Sequence, residues 1–312
     1  MTTKMSGNLR YNSQSYAKND EFQRKFNLKA VDFFNFAFAP ANTESQQFLD
    51  IGCGTGGFTR DWLLPRCPPC RRLVAVDASE EMLSYARENS AHQDIQYDYL
   101  NIGDDVSDFI EKYGRFDRVY SFFCLNWLKD QAQAIKNVSR LMTPAGECLL
   151  LFPAVSPTRA LWRKMAQLDH WKKFSNVFDG FTPKSHDLED DIARLSYMRE
   201  LLDSAGLMAN TCELLYDRVD YENPQAHIDP GHEIGRNGPL RHEAKNDSTS
   251  ETGDTTDKLD DGHNEKESVQ KMLKHLVESV REILCGLPNA AAEIPLHGLT
   301  VLDPPIAAVY MV

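Results

Sequence analysis

Long apolar runs, a secretory leader and an excess of positive charge are all missing from this sequence. No stretch of the 312 residues approaches the roughly 18 consecutive apolar residues that a membrane-spanning helix needs, so we expect no membrane insertion. The N-terminus, MTTKMSGNLRYNSQSYAKND, lacks the apolar centre of a signal peptide. The formal net charge of −12 disfavours nucleic acid as a partner, because binding to a phosphate backbone needs clustered Lys and Arg.

The cysteines form no recognisable framework. Seven of them at irregular spacing, an odd number, fit a reducing compartment better than a set of disulfides. Cys67 and Cys70 have the C-x-x-C spacing of a metal site, but no second Cys or His pair follows nearby, so we predict a loop here and no metal ion. We therefore expect a cytoplasmic protein, and the composition gives no indication of its oligomeric state.

Strand-like and helix-like segments alternate along the first half of the chain. Strands are predicted over 47–51, 73–77, 95–100, 116–123 and 146–153, and helices over 21–38, 79–89 and 130–142. Such alternation is typical of a parallel sheet that helices cover on both faces. Helices are also predicted over 157–170 and 188–205, and strands over 211–219 and 306–312. We predict an α/β, Rossmann-like, doubly wound and mostly parallel sheet of seven strands with an added helical lid.

Composition divides the chain into four segments. The polar N-terminus, residues 1–20, is predicted to be flexible, and residues 21–223 are predicted to form the core and the lid. Residues 224–267 are predicted to be a disordered acidic insertion, because they carry too few apolar side chains to offset the entropy of ordering. Apolar residues then recur at helical spacing, so residues 268–312 are predicted to supply a helix and the last strand of the same domain.

The stretch FLDIGCGTGGFTRDW, residues 48–62, is rich in glycine directly after a predicted strand. Gly52, Gly54 and Gly56 let the backbone turn sharply and approach a ligand closely, because no Cβ stands in the way. Through Gly57 the loop also matches the G-x-G-x-x-G pattern of dinucleotide sites. A NAD-dependent dehydrogenase is therefore an alternative on this motif alone.

Two acidic residues flank the glycine loop. Asp50 lies two residues before the first glycine, where a dinucleotide loop more often carries an apolar side chain, and Asp77 ends the next predicted strand. A carboxylate at the end of the second strand can accept hydrogen bonds from both hydroxyls of a ribose. The loop and these two acids together predict a site for a cofactor that contains a nucleoside.

A D-x-G-x-G-x-G loop with an acid at the end of the second strand resembles the class I S-adenosylmethionine-dependent methyltransferases. The segments FDRVYSFFCLNWL, DQAQAIKNVSRLMTPAG and ECLLLF follow the order of that family, and no Tyr-x-x-x-Lys pair of a dehydrogenase follows. In the family the loop lies under the methionine moiety, and the first acid orders the loop or holds the amino group. The resemblance implies S-adenosyl-L-methionine as the cofactor. It implies binding by Asp50, Gly52, Cys53, Gly54, Gly56, Asp77, Ala78, Met82, Asn101, Ile102 and Ser121.

A narrower resemblance concerns the methyl acceptor. DRVYSFFCLNWLKDQAQAIKNVSRLMTPAGECLLLF is similar to the arthropod juvenile hormone acid and farnesoic acid O-methyltransferases, which carry a run like S-F-Y-C-L-H-W in this place. Their N-terminal Y-x(6)-Q-R pattern matches Tyr16, Gln23 and Arg24. The resemblance covers most of residues 16–312 outside the insertion and is patchy after 155. It implies esterification of a small, hydrophobic, sesquiterpenoid-like carboxylic acid.

Esterification of a carboxylate makes modest demands on an enzyme. A carboxylic acid with a pKa of about 4.5 is already ionised at pH 7, so no general base is needed. Orientation of the reactants can lower the barrier by on the order of 7–11 kcal/mol. The site needs donors that hold the carboxylate without a strong counter-charge, as a Gln amide and a Trp indole N–H do. By the resemblance, these catalytic roles fall to Gln23 and Trp127.

Two residues depart from the family pattern. Asn126 replaces a His of the S-F-Y-C-L-H-W run, and Asn101 replaces an Asp that usually holds the adenine amino group. An Asn amide oxygen can accept from that amino group as well. Two alternatives stay open: a methyltransferase that acts on another small acceptor (a phenol, an amine or an activated carbon), and a pseudoenzyme that binds the cofactor without turnover.

Overall fold

The computed structural model describes residues 13–40, 45–156, 182–216 and 306–311, together with parts of 159–180. The acidic insertion predicted over 224–267 and the helix predicted to follow it lie outside the described residues. Most of the helix predicted over 157–170 lies outside them too. Within the described part of the chain, no helix is long and apolar enough to cross a membrane.

The described strands form one sheet. They are β1 (Gln47–Ile51), β2 (Arg72–Asp77), β3 (Ile95–Tyr99), β4 (Phe116–Phe122), β5 (Met142–Val155), β6 (Thr211–Tyr216) and β7 (Ile306–Met311). Their order is β3-β2-β1-β4-β5-β7-β6. The pairs from β3 to β5 are parallel, and β7 runs antiparallel to both β5 and β6. The predicted doubly wound, mostly parallel α/β architecture is confirmed.

The order of the strands reverses between β1 and β4. The chain passes from β1 outward to β2 and β3, and then crosses back to place β4 on the other side of β1. In doubly wound sheets, ligands bind at such a switch point, outside the carboxyl ends of the strands. The residues that follow β1 and β4 therefore lie where a site is expected.

Seven helices accompany the sheet in the described residues. They are α1 (Ser13–Asn19), α2 (Glu21–Phe34), α3 (Glu80–Asn89), α4 (Ser107–Tyr113), α5 (Gln131–Leu141), α6 (Ser175–Gly180) and α7 (Asp191–Ser204). Three of them begin at a side chain that accepts a backbone N–H of the first turn. Ser79 caps α3 (3.3 Å to the Met82 nitrogen), Asp130 caps α5 and Asp190 caps α7.

Both faces of the sheet are buried, as a parallel sheet requires. Neighbouring residues of β1 point to opposite faces: Phe48 belongs to one apolar cluster and Leu49 to the other, and both are fully buried. The first cluster also contains apolar residues of α2, and the second contains those of α4, α5 and α7. This arrangement holds α2 over the same sheet face as Phe48.

The structure adds to the sequence-based picture or differs from it in three places. Residues 1–20 were expected to be flexible, but Ser13–Asn19 forms α1, and the Ser13 N–H donates to Glu81 on α3 (3.3 Å). Strand β5 begins at Met142 instead of residue 146, because Met142 pairs with Phe116 across a shift in register. Helix α4 was not predicted at all.

Candidate active site

The loop after β1 has a backbone that only glycine adopts easily. Gly52, Gly54 and Gly56 have φ angles of 80°, 55° and 73°. A Cβ on Gly52 would lie 2.4 Å from the Cβ of Cys124, and one on Gly56 would lie 2.5 Å from the hydroxyl of Tyr97. The loop is therefore wedged between the turn after β4 and strand β3.

Gly57 differs from the other three glycines. Its φ is not positive, and a Cβ built there meets nothing within 4 Å. The glycines that the structure requires thus follow the D-x-G-x-G-x-G spacing. The G-x-G-x-x-G spacing, which supported the dinucleotide alternative, depends on a glycine without a structural need.

Asp77 ends β2 and holds the glycine loop. Its Oδ2 accepts the N–H of Gly54 and its Oδ1 accepts the N–H of Ser79, both at 2.9 Å. Burial raises the pKa of this carboxyl above its usual range, against the effect of these hydrogen bonds. Each carboxylate oxygen has a second lone pair, so the same group can also accept ribose hydroxyls, as the sequence predicts.

Asp50 lies beneath the loop and is almost fully buried. Its Oδ2 accepts a hydrogen bond of 2.6 Å from the hydroxyl of Thr59, which begins the π-helical segment Thr59–Leu63. Burial raises the pKa of Asp50 to about 7, although the Thr59 bond acts in the opposite direction. Asp50 thus ties β1 to the segment that follows the loop, and sequence reasoning gave no signal for Thr59.

The carboxyl end of β4 closes the other side of the loop. The Ser121 hydroxyl donates to the Ile51 carbonyl of β1 (3.0 Å), and Cys124 packs against Gly52. Between them, Phe123 has a φ of +53°. Backbone strain of this kind in a residue other than glycine is typical of functional sites.

The remaining predicted cofactor residues flank the loop in different ways. Met82 and Ile102 are buried, Ala78 is exposed, and Cys53 is partly buried with the pKa of its thiol raised well above the usual range by burial. The Asn101 amide is hydrogen-bonded within its own turn, where its Oδ1 accepts the N–H of Gly103 (3.1 Å). Their contacts with a cofactor stay predictions.

A small cavity lies between helix α2 and the glycine loop. Its lining includes Gln23 and Asn27 of α2 together with Asp50, Gly52 and Cys53. The Oε1 atom of Gln23 accepts a hydrogen bond of 2.7 Å from the hydroxyl of Tyr16. Tyr16, which belongs to α1, also lies against Gly54. The fold thus brings Gln23, more than twenty residues upstream of the loop, to the loop itself.

Trp127 lies outside the lining of this cavity, in the helical turn Leu125–Trp127 that follows Cys124. The guanidinium group of Arg159 stacks over its ring at 4.7 Å. In the amide orientation that satisfies both neighbours, Asn126 donates to the Phe123 carbonyl (2.9 Å) and accepts from Arg159 (3.2 Å). Arg159 is 4% exposed, and sequence reasoning did not single it out.

The residues present suit the cofactor that the sequence predicts. The loop lines the cavity at Gly52 and Cys53, and a carboxylate stands at the end of β2. Asn27 lines the cavity, and its buried Oδ1 accepts no hydrogen bond from the described residues. Among those residues, no group of three His, Cys, Asp or Glu side chains is arranged to hold a metal ion.

The fold and the glycine loop have the arrangement that the sequence predicts for a class I S-adenosylmethionine-dependent methyltransferase. Residues 48–146, which contain the glycine loop, Asp77 and Trp127, match a family described as a methyltransferase domain. The prediction of this class and of its cofactor is confirmed.

Two relatives sharpen the comparison. The chain is 27% identical to the juvenile hormone acid O-methyltransferase of Bombyx mori, over 67% of this chain and 75% of that protein. It is 27% identical to the enzyme of the same name from Drosophila melanogaster, over 66% of this chain and 69% of that protein.

The solved structures include a similar fold in phosphoethanolamine N-methyltransferase 2 of Haemonchus contortus, which was determined in complex with phosphomonomethylethanolamine and S-adenosylhomocysteine. This chain is 18% identical to it. Its TM-score is 0.42 over 66% of this chain and 44% of that chain.

Proposed function

We propose that this methyltransferase converts the carboxylate of a hydrophobic, sesquiterpenoid-like acid into its methyl ester. The observation that carries the proposal is the position of Gln23, an amide that lines the cavity beside the glycine loop. Relatives named for O-methylation of juvenile hormone acid support the same acceptor class. An N- or C-methyltransferase would need to remove a proton from its acceptor, whereas a carboxylate needs no base.

The Gln23 amide is oriented as a donor. Because its Oε1 accepts from Tyr16, its Nε2 group is the end that offers N–H bonds to a ligand. A neutral donor of this kind can hold one carboxylate oxygen and leave the other free to attack. Bound at the loop, S-adenosylmethionine supplies an electrophilic methyl group. The chain's own contribution is to hold the carboxylate in line and to exclude water.

The surroundings of the cavity and of Trp127 suit a hydrophobic anion. Phe58 and Phe122 line the cavity with ring centroids 5.1 Å apart, which favours an apolar chain. The buried Arg159 guanidinium beside Trp127 adds positive charge. Burial lowers the pKa of nearby His186 to about 3, and guanidinium groups, Arg159 first among them, act in the same direction. Because Arg159 is engaged by the Trp127 ring and the Asn126 amide, it adds positive potential to these surroundings, while the proposed donors to the carboxylate, Gln23 and Trp127, stay neutral.

The test is methyl transfer from labelled cofactor to a panel of acceptors. We expect turnover of farnesoic acid and of juvenile hormone acid, and none of the matching carboxamide, alcohol or phenol. Gln23→Leu and Trp127→Phe should each lower kcat/KM for the acid by about 10- to 150-fold, the effect of losing one hydrogen bond to a charged group. Binding of S-adenosylhomocysteine should stay within about twofold of the wild type, since neither donor serves the cofactor.

Matched controls separate chemistry from folding. Trp62→Phe changes an exposed tryptophan, and Gln14→Leu changes an exposed glutamine of α1, so both should leave kcat/KM unchanged. Turnover of a phenol or an amine in preference to every acid would replace the proposed acceptor. Tight cofactor binding without turnover of any acceptor would instead favour a pseudoenzyme.

A further inference from the structure

Asn27, a residue that lines the cavity, has a buried Oδ1 atom without a hydrogen-bond partner among the described residues. Asn27 is 6% exposed and belongs to the buried side of α2. Buried acceptors in native proteins are nearly always paired, and those that are not commonly await a ligand or a water molecule. The neighbours of Asn27 along the buried face, Phe26, Ala30 and Val31, offer no donor from their side chains.

The position of Asn27 connects it to the cofactor loop. It lies four residues after Gln23, so the two side chains stand one above the other on α2, and both line the same cavity. Asp50, Gly52 and Cys53 form the opposite wall. The resemblance implies that the loop lies under the methionine moiety, so Asn27 and the loop border the part of the site where that moiety is expected.

The amide oxygen of Asn27 can bind only a hydrogen-bond donor. Among the groups of the methionine moiety and an ionised acceptor acid, this requirement selects the α-ammonium group. The carboxylate and the sulfonium of the methionine moiety carry no N–H or O–H, and an ionised acceptor acid carries none either. The α-ammonium has three N–H donors.

We propose that Asn27 is a cofactor-binding residue whose Oδ1 accepts a hydrogen bond from the α-ammonium group of S-adenosylmethionine. The inference goes beyond the proposed esterification, because it concerns the cofactor and holds for any methyl acceptor. It makes Asn27 the acceptor on the helical wall, opposite the loop.

The experiment is a calorimetric comparison of two ligands on the full chain. S-adenosylhomocysteine carries the amino group, and its analogue with hydrogen in place of that group does not. We expect Asn27→Leu to lower the affinity for S-adenosylhomocysteine by about 10-fold or more, as for the loss of a hydrogen bond to a charged group. The affinity of this variant for the analogue should equal that of the wild type. Without ligand, Asn27→Leu should be no less stable than the wild type, because it removes an unpaired buried oxygen.

Two further variants complete the test. Asn27→Asp keeps an acceptor oxygen, so it should still prefer S-adenosylhomocysteine to the analogue, and this preference decides the matter if Asn27→Leu does not fold. Asn35→Leu is the control, because the Asn35 amide donates to the Arg66 carbonyl (2.9 Å) outside the cavity lining, and cofactor affinity should not change.

Three results would overturn the proposal: unchanged affinity of Asn27→Leu for S-adenosylhomocysteine, equal weakening of both ligands, or an Asn27→Asp variant without preference between them. A change confined to the KM of the methyl acceptor would also overturn it and assign Asn27 to the acceptor. Failure of every acid to react would refute the proposed esterification while leaving the cofactor measurements, and hence this inference, intact.

Discussion

At the scale of single residues, the site depends on a few positions where a small change has a large geometric effect. Gly52 combines a positive φ with a Cβ direction that points into Cys124. Asp77 binds two backbone N–H groups, one of them in the loop. Because Gly52 and Asp77 fix the conformation of the loop, its loss should affect cofactor binding before it affects the global fold.

Gly52→Ala should greatly weaken cofactor binding. The new methyl group would lie 2.4 Å from the Cys124 Cβ, and alanine at φ +80° adds strain of about 1–3 kcal/mol. We expect the affinity for S-adenosylhomocysteine, measured by calorimetry, to fall by about 10-fold or more, since the loop must shift to relieve the contact.

Gly57→Ala is the matched control in the same loop. Nothing lies within 4 Å of its added Cβ and its φ is not positive, so affinity should change little. Equal losses in the two variants would contradict the assignment of Gly52, Gly54 and Gly56 as the required glycines.

At the scale of secondary-structure elements, the site is a junction of two strand ends and two helices. The loop after β1 and the turn after β4 meet at the switch point of the sheet. Helices α1 and α2 cover this junction from the N-terminal side, where Tyr16 contacts Gly54 and bonds to Gln23. The link between the two helices therefore controls the orientation of the proposed acceptor-binding amide.

Tyr16→Phe should impair the acceptor step more than cofactor binding. It removes the hydroxyl that orients Gln23 but keeps the ring beside Gly54. We expect the KM for the acid to rise by roughly 2- to 12-fold, the value of one neutral hydrogen bond. Steady-state kinetics together with calorimetry with S-adenosylhomocysteine measure the two effects separately.

Tyr99→Phe supplies the comparison, because Tyr99 is 46% exposed on β3 and is absent from the lining of the cavity. Its kinetic constants should match those of the wild type. If Tyr16→Phe also matched the wild type in KM, the Tyr16–Gln23 bond would have no part in acceptor binding.

At the scale of the whole molecule, burial of Asp50 makes stability depend on pH. The pKa of Asp50 rises from an ordinary 3.8 to about 7 in the fold, chiefly because the carboxyl is buried. The folded state therefore binds a proton that the unfolded state releases between these values. The contribution of the protonated group to stability is complete below pH 3.8 and is lost as pH rises through 7.

Asp50→Asn should remove this dependence. The amide oxygen can still accept from Thr59, but it has no proton to lose. Relative to the variant, the wild type should lose up to about 4 kcal/mol in its free energy of unfolding between pH 4 and pH 7. Urea unfolding of both proteins at several pH values in this range measures the difference.

Relative to Asp61→Asn, the free energy of unfolding of the wild type should change with pH in the opposite direction. Arg60 beside Asp61 lowers the pKa of that carboxyl, so its contribution to stability is present above the ordinary pKa and is lost as pH falls.

For Asp50, parallel stability curves for the wild type and Asp50→Asn would contradict the prediction. They would mean that the buried carboxyl ionises as readily in the folded state as in the unfolded state.

Local patterns in the sequence predicted most of the elements, with errors where tertiary contacts intervene. The helices predicted over 79–89 and 130–142 and the strand predicted over 47–51 follow from residue type and periodicity. Helix α1 was missed because its polar sequence gains order from contacts with Glu81 and Gly54. The early start of β5 depends on pairing with Phe116, which local propensity does not encode.

By itself, the sequence determined the alternating α/β plan, the glycine loop with its two acids and hence the class of cofactor, because each is written in short-range order along the chain. Tertiary structure alone decided that Asn27 and Tyr16 cover the loop, that Arg159 stacks on Trp127 and that Asp50 is buried beside Thr59. The contacts join residues that are distant in sequence, and the burial of Asp50 depends on the exclusion of water from its surroundings. Only packing of the whole sheet establishes such contacts and such burial.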